Sequence, residues 1–141
     1  MGFAEYANYD ALGLAELVKK KKVKPAELVE AAIERIERHN PPLNAVVFKA
    51  YDEARAKPSS KLSGLFAGVP MLLKDILGDK KGWPTRSGSR FVPATPAPLD
   101  ATLVARFEAV GLVALGKSMY VHLPEGHLRE DVKDVVTDHT R

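Results

Sequence analysis

Leu14, Leu17 and Val18 fall on one face of a segment that Asp10 can open as N-cap, which predicts a helix running to about Lys21. A second helix is expected from Pro25, a residue suited to the first helical position because its missing N–H would have no partner there. Its apolar set, Leu28, Val29, Ala32, Ile33 and Ile36, keeps helical spacing, and Pro41-Pro42 is expected to end it. Glu30, Glu34, Arg35, Glu37 and Arg38 form the opposite, solvated face.

Further along, "NAVVFKA" (Asn44 to Ala50) is a short β-branched run and reads as a strand. "YDEARAK" reads as a short helix and "PSSKLSG" as a loop. "FAGVPMLLKDI" is a compact apolar run with strand character, interrupted by one Lys and one Asp. From Gly78 to Pro98 the chain is rich in Gly and Pro without apolar periodicity, so a long connecting loop is expected, a kind of loop that often carries function. Asp100 to Val110 predicts a helix with Leu103, Val104 and Phe107 on one side, followed by an apolar strand in "GLVALG". Helix, strand, helix, strand, loop, helix, strand is the order of a layered α/β fold.

Composition narrows the classes. The chain has 141 residues, enough for one modest core, and 45% hydrophobic with 28% charged residues marks a globular rather than a disordered protein. A net charge of +3 gives no case for nucleic acid as a partner, and Lys19 to Lys22 read as a solvated helix end. The absence of cysteine removes disulfides, Cys-ligated metals and Cys nucleophiles. No apolar run approaches the roughly 18 residues of a membrane span. The first residues lack a secretory pattern, and Tyr6 stands where a myristoylation motif needs Ser or Thr. A cytoplasmic protein is therefore expected.

Two stretches carry candidate chemistry. "GLVALGKS", Gly111 to Ser118, matches the letters of a nucleotide-binding P-loop, but that loop needs a strand before its first glycine and a helix after its lysine. Here a helix precedes Gly111, an apolar strand lies between the glycines, and Pro124 follows too early for a good helix, so nucleotide binding is not expected. In "GVPMLLKDI", Lys74 interrupts a run that should go inside. Burial would lower its pKa and allow it to act as a general base; a strand-end lysine reaching solvent, or pairing with Asp75, has the same local sequence.

The ordered segments "KPAELVEAAIERIERHNPPLNAVV", "FAGVPMLLKD", "GWPTRSGSR" and "DATLVARFEAVGLVALGKS" resemble the N-terminal part of the amidase signature family. The resemblance runs from about Tyr9 to Ser118. It implies an α/β/α layered fold and a serine hydrolase that cleaves amide bonds through a Ser–cis-Ser–Lys triad. It matches Lys74 to the catalytic lysine, which takes a proton from the nucleophilic serine through the bridging one. It implies a small linear or cyclic amide as substrate and neither metal nor cofactor.

The Gly- and Ser-rich segment that carries the family's two serines and oxyanion hole has no counterpart in these 141 residues. Ser59, Ser60, Ser63, Ser87 and Ser89 read as loop serines outside any G-x-S-x-G elbow. His122, Glu125 and His127 lack the helical spacing of a zinc site. Residues 1–118 are thus expected to form a family segment, with 119–141 as a divergent tail. The expectation is a truncated amidase, inactive alone; the alternative is a non-catalytic module that docks on a partner chain or self-associates.

Overall fold

The computed structural model describes residues 3–57 and 62–119. Asp10 caps α1 (Ala11–Lys19) by accepting the Gly13 N–H at 2.7 Å. Lys20 pairs with Glu16 across one turn at 2.9 Å, and Lys19 to Lys22 are all exposed, as a basic helix end in water should be. At the start of α2 (Pro25–Leu43), Lys24 occupies the N-cap but its ammonium has no acceptor to offer a backbone N–H. Glu27 supplies the other half of a capping box, accepting the Lys24 N–H at 2.7 Å.

The prolines do not end α2. It continues through Pro41 and Pro42 to Leu43 and stops at Asn44, whose left-handed conformation (φ 49°) returns its N–H to the Asn40 carbonyl. Proline's fixed φ is itself helical, so what it removes is a donor, and this last turn is held by tertiary contacts instead. The buried Asn40 amide donates to the Val46 carbonyl at 3.0 Å and accepts the Val46 N–H at 2.7 Å, tying the helix end to the first strand. Asn40→Ala would orphan both backbone groups, and a loss of about 2 kcal/mol is expected in urea unfolding. An unchanged midpoint would refute this role.

A short 3-10 turn (Tyr6–Asn8) precedes α1, and the remaining elements among the described residues are β1 (Val46–Lys49), α3 (Tyr51–Ala56), β2 (Pro70–Lys74), α4 (Thr102–Ala109) and β3 (Val113–Ser118). A three-stranded sheet of order β1-β3-β2 places β3 centrally, antiparallel to β1 and parallel to β2. On one face Val113 and Leu115 pack with Val29, Ala32 and Ile33 of α2 and Ala54 of α3. On the other, Ala114 and Leu73 pack with Trp83 and with Val104 of α4. The layered α/β fold expected from the pattern is the one observed.

The long loop between β2 and α4 is fastened rather than loose. Trp83 is buried and its indole N–H donates to Glu53 at 2.6 Å. Lys80, also buried, lies over the Trp83 ring and pairs with Glu108 at 3.0 Å, while Lys57 reaches the same carboxylate at 2.7 Å. Burial alone would raise the Glu108 pKa, but hydrogen bonds from Lys57 and Lys80 outweigh it and hold the group below the usual carboxylate value. A lowered folded-state pKa stabilises the protein above the unfolded value, and that contribution is lost as pH falls through the folded one. Glu108→Gln should therefore flatten the stability profile below about pH 4.3, the ordinary glutamate value. Identical acid profiles for the two proteins would refute it.

Candidate active site

The strand carrying "GLVALGKS" begins and ends later than its letters suggest. Gly111 closes α4 with φ 93°, and a Cβ there would stand 2.6 Å from the Ala67 Cα. The strand starts at Val113 and runs through Gly116 to Ser118, so the second glycine lies inside it rather than beyond it. Helix, glycine, strand is the reverse of a phosphate loop, in agreement with the sequence reading.

Gly116 sits where the ladder is irregular. Met71 pairs with Ala114 and Leu73 with Lys117, two residues of β2 against three of β3, which marks a bulge. Without it, alternation would put Lys117 on the face of Val113 and Leu115. The extra residue transfers Lys117 to the opposite face, beside Leu73 and beneath the long loop. A side chain at Gly116 would collide with the Phe48 carbonyl oxygen of β1, so the bulge requires glycine.

Lys117 is completely buried, with the Thr85 hydroxyl as its hydrogen-bond partner. That hydroxyl donates onward to Asp79 at 2.6 Å. Burial lowers the Lys117 pKa, and attraction to Asp75 and Asp79 opposes the shift. Asp75 follows β2 directly and is itself buried. Its carboxylate accepts the N–H groups of Arg86 at 3.0 Å and Gly88 at 3.1 Å, and its own N–H extends the β2–β3 ladder to the Ser118 carbonyl.

Lys74 ends β2 in register with Ser118. It is half-buried, on the face of Leu72 rather than that of Leu73 and Asp75. Desolvation lowers its pKa, with the Asp75 carboxylate opposing. A lysine whose charged form is disfavoured by burial has the chemistry a base or a nucleophile needs.

Next to these groups lies a cleft of about 450 Å³ lined by Asp75, Arg86, Ser89 and Arg90 from the loop side and by Val47 and Phe48 of β1. Lys74 does not line it. Ser63, Ser87 and Ser89 are loop residues, as expected, while Ser59, Ser60, His122, Glu125 and His127 lie outside the described residues. Among the described residues no cluster of His, Cys, Asp and Glu could hold a metal ion, and no helix is long and apolar enough to cross a membrane.

Sequence reasoning singled out Lys74 but not the Lys117–Thr85–Asp79 chain. A signal is present in the sequence, since Lys117 stands one glycine after an apolar run, as Lys74 stands in another. It was obscured because Gly116-Lys117-Ser118 completed the phosphate-loop pattern.

A family model described as Amidase matches residues 27–124, and so extends past Ser118 to Pro124. The chain is 39% identical over 118 residues to a 6-aminohexanoate-cyclic-dimer hydrolase of Pseudomonas sp. (strain NK87), covering 82% of this chain and 23% of that protein. It is 35% identical over 122 residues to a lipoamidase of Enterococcus faecalis, covering 85% and 17%. A solved 6-aminohexanoate cyclic dimer hydrolase superposes with a TM-score of 0.74 at 38% identity, over 79% of this chain and 23% of the other. The peptide amidase of Stenotrophomonas maltophilia gives 0.69 at 29% identity, over 80% and 25%. The chain thus spans about a quarter or less of the length of these relatives.

Proposed function

Because this chain belongs to the amidase family, we propose that it supplies the lysine-bearing N-terminal portion of a hydrolase acting on carbon–nitrogen bonds of small linear or cyclic amides. One observation carries the reading: Lys74 emerges half-buried from the end of β2, inside the matched region, with burial favouring its neutral form.

In this role Lys74 takes a proton, through a bridging serine, from the serine that attacks the amide carbonyl. The amine departs with a proton, an acyl-enzyme remains, and water releases the acid. Both serines belong to the Gly- and Ser-rich segment that has no counterpart in these 141 residues, so the chain alone has no nucleophile for Lys74 to activate.

A chimera tests the reading. Residues 27–118 would replace the matching segment of the Pseudomonas relative, and release of amine would be assayed. Hydrolysis by the chimera, with none by the 141-residue chain alone, is the expected result. A folded chimera without activity would overturn it.

A second reading is a docking module without catalysis of its own. It draws on the sheet edges, since among the described residues β1 and β2 each pair only with β3. A stable complex with a serine-bearing chain would support it, and a monomer that binds no such chain would count against it.

A further inference from the structure

A lysine with no exposed surface is expensive to keep, since taking an ammonium out of water costs several kcal/mol unless other charges compensate. Lys117 is such a residue, and the amide chemistry set out above does not use it. Three features combine to place it. The bulge at Gly116 transfers it across the sheet, the close approach of Phe48 demands glycine there, and the Thr85 hydroxyl relays it to Asp79.

The result is a buried carboxylate with one lysine on each side of its strand. Lys74 precedes Asp75 on β2, and Lys117 stands on β3 in register with Leu73, on the Asp75 face. The other groups around Asp75 are the Arg86 and Gly88 N–H donors. The Arg86 guanidinium is turned away onto the Arg90 and Val92 carbonyls. Asp79 completes the set through Thr85. Were Lys117 absent, the Asp75 charge that attracts both lysines would lose its counterweight inside the sheet, and its attraction would favour the charged form of Lys74.

We propose that Lys117 is a positioning residue for Lys74: from inside the sheet it counterbalances Asp75 and so lets Lys74 exist as the neutral amine. This rests on the reading of Lys74 as a base, but its test needs no substrate, so the two fail separately.

The pH dependence of trace acetylation at Lys74, followed by mass spectrometry of its peptide in the folded 141-residue chain, reports the neutral amine directly. In Lys117→Met the midpoint should rise by about one pH unit, the usual effect of leaving an opposite charge uncompensated. At a pH below both midpoints, labelling then falls about tenfold. Thr85→Val, nearly isosteric and at a half-buried position, removes the hydrogen bond that holds Lys117 and should shift Lys74 the same way by less. It decides the matter if Lys117→Met does not fold.

Loosening of the fold would also raise the midpoint, and two readouts separate it. Labelling of buried Lys80, in a different ion cluster, should stay constant. In an Asp75→Asn background, Lys117→Met should no longer raise the Lys74 midpoint, because the charge it balances is gone. A midpoint unmoved in both single variants, or a rise that persists without Asp75, would overturn the proposal.

Discussion

Lys74→Ala should lower amide hydrolysis by the chimera roughly 10²–10⁴-fold, the usual contribution of a positioned general base. The loss should appear in kcat and in kcat/KM alike, because proton removal matters in the transition state and not in binding the ground state. Lys74→Arg should be nearly as damaging, since a guanidinium keeps its proton at any working pH and offers no lone pair. If Lys74 acts as the proposed base, the active form is the neutral amine that burial favours, so activity should rise with pH until Lys74 has lost its proton. The chimera's rate, measured across pH for the wild type and both variants, provides the check. A Lys74→Ala chimera with more than a tenth of wild-type kcat would remove Lys74 from the mechanism.

The second large effect concerns stability. Gly116→Ala should cost about 3 kcal/mol or more, at the top of the overpacking range, because its methyl group meets backbone that has nowhere to go. The obstructing atom is the Phe48 carbonyl oxygen of β1, and relieving the clash means parting β1 from the central strand. Against a total of about 5–15 kcal/mol for an ordinary domain, such a loss is a large share of the whole. Gly82→Ala is the control, since a Cβ there meets nothing within 4 Å. Its positive φ alone should cost roughly 1–2 kcal/mol. Urea unfolding of the two variants should separate these cases, and equal midpoints would show that the close approach to Phe48 is not what Gly116 provides.

Lys74 and Gly116 also mark how far the one-dimensional pattern could be read. Lys74 is visible because charge, Lys74 with Asp75 after it, breaks an apolar run, a conflict between local pattern and burial that needs no neighbours to be noticed. Gly116 is visible as a glycine, but local pattern places it at the end of a strand, whereas it lies inside β3. A bulge depends on a backbone from elsewhere in the chain, here Phe48 of β1, and no local pattern reports that approach. The prolines of α2 teach the same point from the other side. Read locally, Pro41-Pro42 stops a helix; in the fold, Asn40 grips Val46 and the helix keeps its last turn.

The sequence by itself determined the α/β order, the amphipathic faces, the cap at Asp10 and the position of Lys74. Each of these rests on interactions within a turn or two, or on whether a side chain prefers water. Only the tertiary structure decided where Asn40, Trp83, Lys80 and Lys117 go, because each is a polar group, or carries one, that is buried at a cost unless a distant partner is brought to it. For Asn40 that partner is Val46, for Trp83 it is Glu53, and for Lys80 it is Glu108. For Lys117 it is Thr85, a hydroxyl 32 residues away in the chain that the bulge at Gly116 brings within reach.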